Sequence, residues 1–173
     1  MNVILIGARA SGKTTLARII GSALSRPAVD VDELALAQFE EESVSQVWRL
    51  RGQNAWREAE ARVIVHVLKG EDQVIALGGG APLVPAVEAA IQAARQAGRA
   101  KVIYLYCSPG ELRRRLYAQP GDRPSLTGRD ATEEIELVLS YRDPAYRTLA
   151  DEVVDVSHLG ERDAADILIR TYF

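Results

Sequence analysis

Residues 7–14 have the types and the spacing needed to bind phosphate groups. They read Gly-Ala-Arg-Ala-Ser-Gly-Lys-Thr and fit the pattern G-x-x-x-x-G-K-[ST] without a gap. Glycines allow backbone N–H groups to curl around phosphate oxygens, and a helix starting there adds positive potential. We therefore predict that Lys13 contacts the β- and γ-phosphates of ATP and that Thr14 is a ligand of Mg²⁺. The nucleotide-binding residues predicted in this segment are Gly7, Ala8, Arg9, Ala10, Ser11, Gly12, Lys13, Thr14 and Thr15.

A chance match is the alternative explanation of this loop. With glycine at about 7% of residues, a random match in a chain of this length is about a one-in-a-hundred event or rarer. The flanking patterns make chance less plausible still: residues 2–7 are an apolar run typical of a buried parallel strand, and residues 13–24 have apolar positions on one helical face. Such loops serve switches, motors and kinases alike, so the loop predicts nucleotide binding without selecting among them. A guanine-reading Asn-Lys-x-Asp run is absent from the sequence.

Strand-like and helix-like patterns alternate along the whole chain. Five short apolar runs, at 2–7, 27–32, 73–77, 101–107 and 152–156, are separated by helical patterns. This alternation predicts an α/β three-layer sandwich, a five-stranded parallel sheet flanked by helices, with the active site at the carboxyl ends of the strands. We expect one domain over residues 1–173, with a mobile lid at about 117–129 where prolines and glycines accumulate.

Composition and charge argue against several classes of protein. The net charge of -3 provides no basic footprint for a nucleic acid. Cys107 is the only cysteine, which rules out an intrachain disulfide and a multi-cysteine zinc site. The sequence has neither an uninterrupted apolar stretch of about 18 residues nor a signal peptide. We therefore expect a cytoplasmic monomer with a small-molecule substrate and with no membrane or nucleic-acid partner.

Five further segments could carry an acceptor site or a lid: Asp30-Val-Asp32, Trp56-Arg57-Glu58-Ala59-Glu60, Gly78-Gly79-Gly80, Arg123-Pro124-Ser125-Leu126 and Tyr141-Arg-Asp-Pro-Ala-Tyr146-Arg147. Together with the phosphate loop, these segments resemble the shikimate kinase family over about residues 2–150. The resemblance implies a fold of the nucleoside-monophosphate-kinase type. It also implies transfer of the γ-phosphoryl group of ATP to the 3-hydroxyl of shikimate, a carboxylate-bearing metabolite, on the route to aromatic amino acids.

The resemblance assigns the two aspartates different roles. Asp30 would help to hold the magnesium ion, and Asp32 would orient or deprotonate the acceptor hydroxyl. Side chains two apart on an extended segment share one side, so we expect both carboxylates to face the site. A solvated helix N-cap is the alternative for this pair.

On the acceptor side, the resemblance implies that Arg57 and Arg147 grip the substrate carboxylate, which arginine binds bidentately. Glu60 lies one helical turn after Arg57 and is placed to fix its guanidinium, although an ordinary exposed ion pair is the alternative. The glycines at 78–80 would allow backbone amides to approach the substrate and the γ-phosphate, or they form a plain strand-end turn.

The resemblance also implies that Arg123 lies in a lid, which on closing would bring its charge beside the transferring phosphoryl group. Arg123 therefore completes the predicted catalytic residues, with Lys13 and Asp32, and the predicted nucleotide-binding residues. Ser125 departs from the leucine usual in the lid motif of the family. One of residues 113–115, all arginine, could stack on adenine, or the three could form a solvated helix face. Two other functions stay open: a kinase of another small acid or of a nucleotide, and a noncatalytic ATP-binding module, against which the acceptor-side residues count.

Overall fold

The sheet has five strands, all parallel, in a computed structural model that describes residues 1–119, 125–126 and 133–173. The strand order across the sheet is β2-β3-β1-β4-β5. The strands are β1 (Asn2–Ile6), β2 (Ala28–Asp30), β3 (Val74–Ala76), β4 (Ala100–Tyr106) and β5 (Glu152–Asp155).

Helices cover both faces of this sheet. Alternate residues of β1 belong to two different apolar clusters: Ile4 and Ile6 to one, Val3 and Leu5 to the other, as the two-residue period of a strand requires. The predicted three-layer fold with a five-stranded parallel sheet is therefore confirmed. The helices are α1 (Lys13–Leu24), α2 (Val31–Leu36), α3 (Val44–Val67), α4 (Pro85–Gln96), α5 (Pro109–Ala118), α6 (Ile135–Leu149) and α7 (Glu161–Tyr172), with a short 3₁₀ turn at Ala81–Leu83.

The second strand is shorter than predicted, because Asp30 ends it and starts a helix. Its Oδ1 atom accepts hydrogen bonds from the backbone N–H groups of Asp32 (2.9 Å) and Glu33 (3.4 Å), which makes Asp30 the N-cap of α2. Asp32 therefore lies in the first turn of α2. The segment is thus not extended as predicted, although Asp30 and Asp32 both line the same cavity, as expected.

Helix α3 bends sharply at Gly52, where φ is 84° and ψ is 161°. This backbone conformation lies outside the helical region and is one that glycine adopts without steric cost. A Cβ atom added at Gly52 would meet nothing within 4 Å, so the conformation alone makes the position special. The bend lets residues before and after Gly52 approach the same side of the sheet.

Among the described residues, no helix combines the length and the apolar character needed to span a membrane.

Candidate active site

A cavity of about 320 Å³ opens at the carboxyl ends of the central strands, within the size range of small-molecule sites. Residues from the phosphate loop, the start of α2, both halves of α3, the glycine segment and α6 line it. The described chain thus brings most of the predicted segments to one place. Within the predicted nucleotide-binding set, the residues that line this cavity are Ala8, Arg9, Ala10, Gly12, Lys13, Thr14 and Thr15.

The phosphate loop owes its shape to glycine and to the lysine side chain. Gly12 has φ of 95° and precedes α1, whose first turn receives no side-chain cap. A Cβ atom on Gly7 would stand 2.6 Å from the carbonyl oxygen of Leu105, so β4 approaches too closely for any other residue. The Nζ atom of Lys13 donates a hydrogen bond to the carbonyl of Ala8 (2.7 Å) across the loop. Gly7 and the buried Ser11 support the loop from behind and do not line the cavity.

Thr14 and Asp30 meet at the floor of the cavity. The hydroxyl of Thr14 donates to the Oδ2 atom of Asp30 at 2.6 Å, while the other carboxylate oxygen caps α2. A hydroxyl and a carboxylate oxygen side by side are the hard donors that Mg²⁺ accepts, usually together with substrate phosphates and water. The described residues include no group of three or more His, Cys, Asp or Glu side chains that could hold a metal by itself. Thr14 and Asp30 therefore fit a magnesium site whose remaining ligands would come from a phosphate substrate and water.

Arg57 is enclosed on several sides. Its Nη1 atom lies 2.5 Å from Oε2 of Glu60, which is fully buried, and its guanidinium carbon lies 5.8 Å from the ring centroid of Trp48. A Cβ atom on Gly80 would collide with the guanidinium. Because the Arg57 side chain is only 16% exposed, the alternative of an ordinary exposed ion pair is wrong. Sequence reasoning missed Trp48, whose contact with Arg57 depends on the bend at Gly52.

The glycine segment lies between the phosphate loop and α6. Gly79 and Gly80 line the cavity, whereas Gly78 does not. A Cβ atom on Gly79 would stand 3.3 Å from the carbonyl oxygen of Gly7 and 3.4 Å from Nη1 of Arg142. The segment is thus a strand-end turn packed tightly enough to require small residues.

The prediction of the second arginine of the acceptor site was wrong by five residues. Arg147 lies outside the cavity: its Nε atom donates to Oδ2 of Asp143 at 2.7 Å, and its side chain is 49% exposed. Arg142 lines the cavity instead, four residues before the buried Tyr146 and therefore on the same helical face. The segment 142–147 reads Arg-x-x-x-Tyr-Arg, so two arginines fit the pattern, and only helical phase separates them.

The predicted lid is described in part. Arg123, the remaining predicted catalytic residue, lies outside the described residues. Leu126 lines the cavity, and its backbone N–H donates to the buried Glu134 at 2.8 Å. The hydroxyl of Ser125 donates to the same carboxylate oxygen at 2.9 Å, so the departure from leucine places a polar side chain where it has a polar neighbour.

Of the three adjacent arginines of α5, Arg115 lies beside the phosphate loop. It donates to the carbonyl oxygens of Val156 (2.9 Å) and Ala10 (3.4 Å), whereas Arg114 is 72% exposed and Arg113 pairs with an exposed glutamate. Hydrogen bonds from Arg114 and Arg115 lower the pKa of Glu111 to about 2. The sequence did not indicate which of these three arginines would lie near the nucleotide.

Comparisons with known proteins agree with one another. The sequence model for shikimate kinase matches residues 9–172. Shikimate kinase 2 of Sodalis glossinidius (strain morsitans) is 33% identical over 173 residues, 99% of this chain and 95% of that protein. A solved shikimate kinase of Acinetobacter baumannii in complex with shikimate is 25% identical, with a TM-score of 0.87 over 98% of this chain and 90% of the other. A deoxyadenosine kinase from M. mycoides, 15% identical with a TM-score of 0.59 over 98% of this chain and 97% of the other, shares the fold.

Proposed function

Because the chain belongs to the shikimate kinase family, we propose that it transfers the γ-phosphoryl group of ATP to the 3-hydroxyl of shikimate. The products are ADP and shikimate 3-phosphate. One observation carries the proposal: most residues of the phosphate loop, Lys13 included, line the same cavity as an enclosed arginine, Arg57. Phosphoryl transfer needs its two substrates aligned more than it needs a strong base, and a shared cavity provides that alignment.

The nucleotide occupies the side of the cavity formed by the loop and α1. Backbone N–H groups at the start of α1 and the Lys13 ammonium group bind the β- and γ-phosphates. Thr14 and Asp30 would hold Mg²⁺, which when bound supplies positive charge against the phosphate oxygens. Arg123 stays a prediction from the sequence, as a further positive charge beside the transferring group.

Shikimate occupies the opposite side. Arg57 and Arg142 bind its carboxylate, and this replaces the predicted pairing of Arg57 with Arg147. Asp32 accepts a hydrogen bond from the ring hydroxyl groups and orients the attacking oxygen. The backbone at Gly79 and Gly80 lies close to both substrates, because the segment separates the loop from Arg142.

Coupled measurement of ADP release tests this function. We expect turnover with shikimate and little or none with gluconate or nucleoside monophosphates. Lys13→Ala, which removes the charge on the phosphates, should lose nearly all turnover while its circular dichroism spectrum stays that of the wild type. ADP release from a folded wild-type protein that does not rise when shikimate is added would overturn the proposal. Equal turnover by a folded Lys13→Ala variant would do the same.

A further inference from the structure

Two pairs of side chains on α6 face different surroundings. Arg142 and Tyr146 line the cavity, whereas Asp143 and Arg147 contact strand β4. Each pair is four residues apart, so its members share one helical face. The function proposed above uses Arg142, a member of the first pair. The second pair, immediately beside it on the helix, has no role in that function.

Asp143 joins strand β4 to Arg147. The hydroxyl of Tyr104, a fully buried residue of β4, donates to Oδ1 of Asp143 at 2.8 Å. The other oxygen of Asp143 accepts from Nε of Arg147 at 2.7 Å. The guanidinium carbon of Arg147 lies 5.8 Å from the ring centroid of Tyr104 and 5.5 Å from that of Tyr106. Burial, together with the hydrogen bond to Asp143, raises the pKa of Tyr104, so its hydroxyl stays a donor.

A second attachment lies on the cavity side of the same helix. The ring of Tyr146 packs against that of Tyr104 with centroids 5.0 Å apart, and its hydroxyl donates to the carbonyl oxygen of Gly79. Arg142 extends over Gly79 as well. Helix α6 is therefore hydrogen-bonded to β4 through Asp143 and to the glycine segment through Tyr146. Two such attachments fix the rotation of a helix about its own axis.

We propose that Asp143 is a positioning residue for the acceptor: by joining Tyr104 to Arg147 it sets the rotation of α6 at which Arg142 meets the substrate carboxylate. This inference rests on the proposed function. A rotation of about 20° moves a side chain at the helix surface by on the order of 2 Å. Misplacement on that scale is large for a phosphoryl acceptor, since errors of about 1 Å can cost about 100-fold in rate.

Two substitutions remove parts of this network with little change of shape. Asp143→Asn keeps the size of the side chain but loses its charge toward Arg147, and Tyr104→Phe keeps the ring but loses the hydroxyl. We expect each to lower kcat/KM for shikimate about three- to tenfold, which corresponds to one net hydrogen bond. The KM for ATP should stay within about twofold of the wild-type value, because α6 makes its attachments on the acceptor side.

A double-mutant cycle separates positioning from simple helix docking. Arg142→Ala alone should lower kcat/KM for shikimate about ten- to a hundredfold. If Asp143 acts through Arg142, adding Asp143→Asn to Arg142→Ala should cause no further loss beyond about twofold. If Asp143 only stabilises the fold, its effect should be the same in both backgrounds.

Asp151 offers a matched control. Its carboxylate also attaches to β4, accepting from the backbone N–H of Val102 (2.7 Å), and it pairs with Arg95 (3.0 Å). None of these three residues lines the cavity. Asp151→Asn therefore removes a comparable aspartate–arginine attachment away from the acceptor. It should lower the midpoint of urea unfolding while leaving kcat/KM for shikimate unchanged.

The positioning role is supported if Asp143→Asn selectively lowers kcat/KM for shikimate. The same loss should be absent from Asp151→Asn, and Asp143→Asn should cause no such loss in the Arg142→Ala background. Equal effects of Asp143→Asn in the two backgrounds, or equal effects of the two aspartate variants, would overturn it. Should Asp143→Asn fail to fold, Tyr104→Phe and its combination with Arg142→Ala decide by the same criteria. Absence of shikimate turnover by the wild-type protein would overturn the proposed function and the positioning role with it.

Discussion

Three neighbours enclose the guanidinium of Arg57, which also lines the cavity. Glu60 holds one nitrogen, Trp48 presents a ring face, and the backbone of Gly80 packs directly against the group. A buried carboxylate such as Glu60 is costly unless a charge pairs with it, so the ion pair also fixes the orientation of Arg57. An arginine held in this way loses little further freedom when it binds a carboxylate.

Substituting Trp48 should weaken acceptor binding without touching the nucleotide side. A ring over a guanidinium is worth about 0.5–2 kcal/mol, depending on desolvation, which corresponds to about two- to thirtyfold in affinity. We expect Trp48→Leu to raise the KM for shikimate within this range and Trp48→Phe to raise it less, with the KM for ATP unchanged in both. Separate titrations of the two substrates check this. An unchanged shikimate KM in Trp48→Leu would show that the ring does not orient Arg57.

Gly80→Ala should be far more damaging than its size suggests. The new methyl group would occupy the position of the Arg57 guanidinium, so the arginine has to leave its place beside Glu60. We expect kcat/KM for shikimate to fall by about 100-fold or more, because both the hydrogen bond to a charged partner and the alignment are lost. The affinity for ADP, measured by calorimetry, should change little.

Gly110→Ala is the control for that substitution. Gly110 lies in α5, and a Cβ atom there would meet nothing within 4 Å. Alanine is the better helix former, so this variant should be as stable as the wild type or up to about 1 kcal/mol more stable, with unchanged kinetics. A Gly80→Ala variant as active as Gly110→Ala would contradict the close packing of Gly80 on Arg57.

At the scale of an element, α5 is bound to its surroundings through Glu111. This carboxylate accepts hydrogen bonds from Arg114 and Arg115, and Arg115 continues to the carbonyl oxygens of Val156 and Ala10. The first turn of α5 is thereby connected to the end of β5 and to the phosphate loop. Removing the charge of Glu111 should therefore affect the stability of the fold more than it affects catalysis.

The stabilisation contributed by Glu111 should depend on pH. Its pKa is lowered from 4.5 to about 2 in the folded chain, first by Arg114 and then by Arg115. The contribution is therefore complete above about pH 4.5 and is lost as the pH falls toward 2. We expect Glu111→Gln to lower the free energy of unfolding at pH 7 by about 1 kcal/mol or less, since surface pairs are screened, and by less at pH 3.5.

Urea unfolding of the wild type and of Glu111→Gln at both pH values measures this difference. Glu136→Gln, which removes an exposed pair with Arg113, is the control and should change stability little at either pH. A stability difference for Glu111→Gln that grows as the pH falls would have the wrong sign for a carboxyl with a lowered pKa.

The sequence predicted best those features whose determining residues lie close together along the chain. Helix α1 begins and ends where predicted, since its apolar spacing and the preceding loop are both contained in residues 7–24. Asp32 was placed on a strand because the pattern there could not show that Asp30 caps a helix instead. Arg147 was chosen over Arg142 because the motif contains both, and only the packing of Tyr146 sets the helical phase.

Two particular contacts between separate segments could not be predicted from the sequence. Trp48 meets Arg57 only because α3 bends at Gly52, and a glycine inside a helical pattern signals a bend without its direction. The attachment of Asp143 to Tyr104 joins residues 39 apart in sequence. No periodicity records such a contact, because it depends on how α6 lies on the sheet.

At the scale of the whole molecule, the sheet is arranged around its first strand. β1 pairs with β3 on one side and β4 on the other, and residues 3–6 are completely buried. Helices on both faces allow such a continuous apolar run at the centre. The phosphate loop follows β1 directly, so it is anchored to a fully buried strand at the centre of the sheet.

This central position of β1 has a consequence for synthesis on the ribosome. The partner of Asn2 in β4 is Ala100, so 98 further residues (100 less 2) must be added before that pairing can form. At about 5–20 residues per second, the edge of β1 that pairs with β4 stays unpaired for roughly 5–20 s. During that interval the run at residues 3–6 is a natural binding site for a chaperone that recognises extended apolar segments. A nascent chain halted before residue 100 should therefore bind such a chaperone, whereas the completed chain released from the ribosome should not.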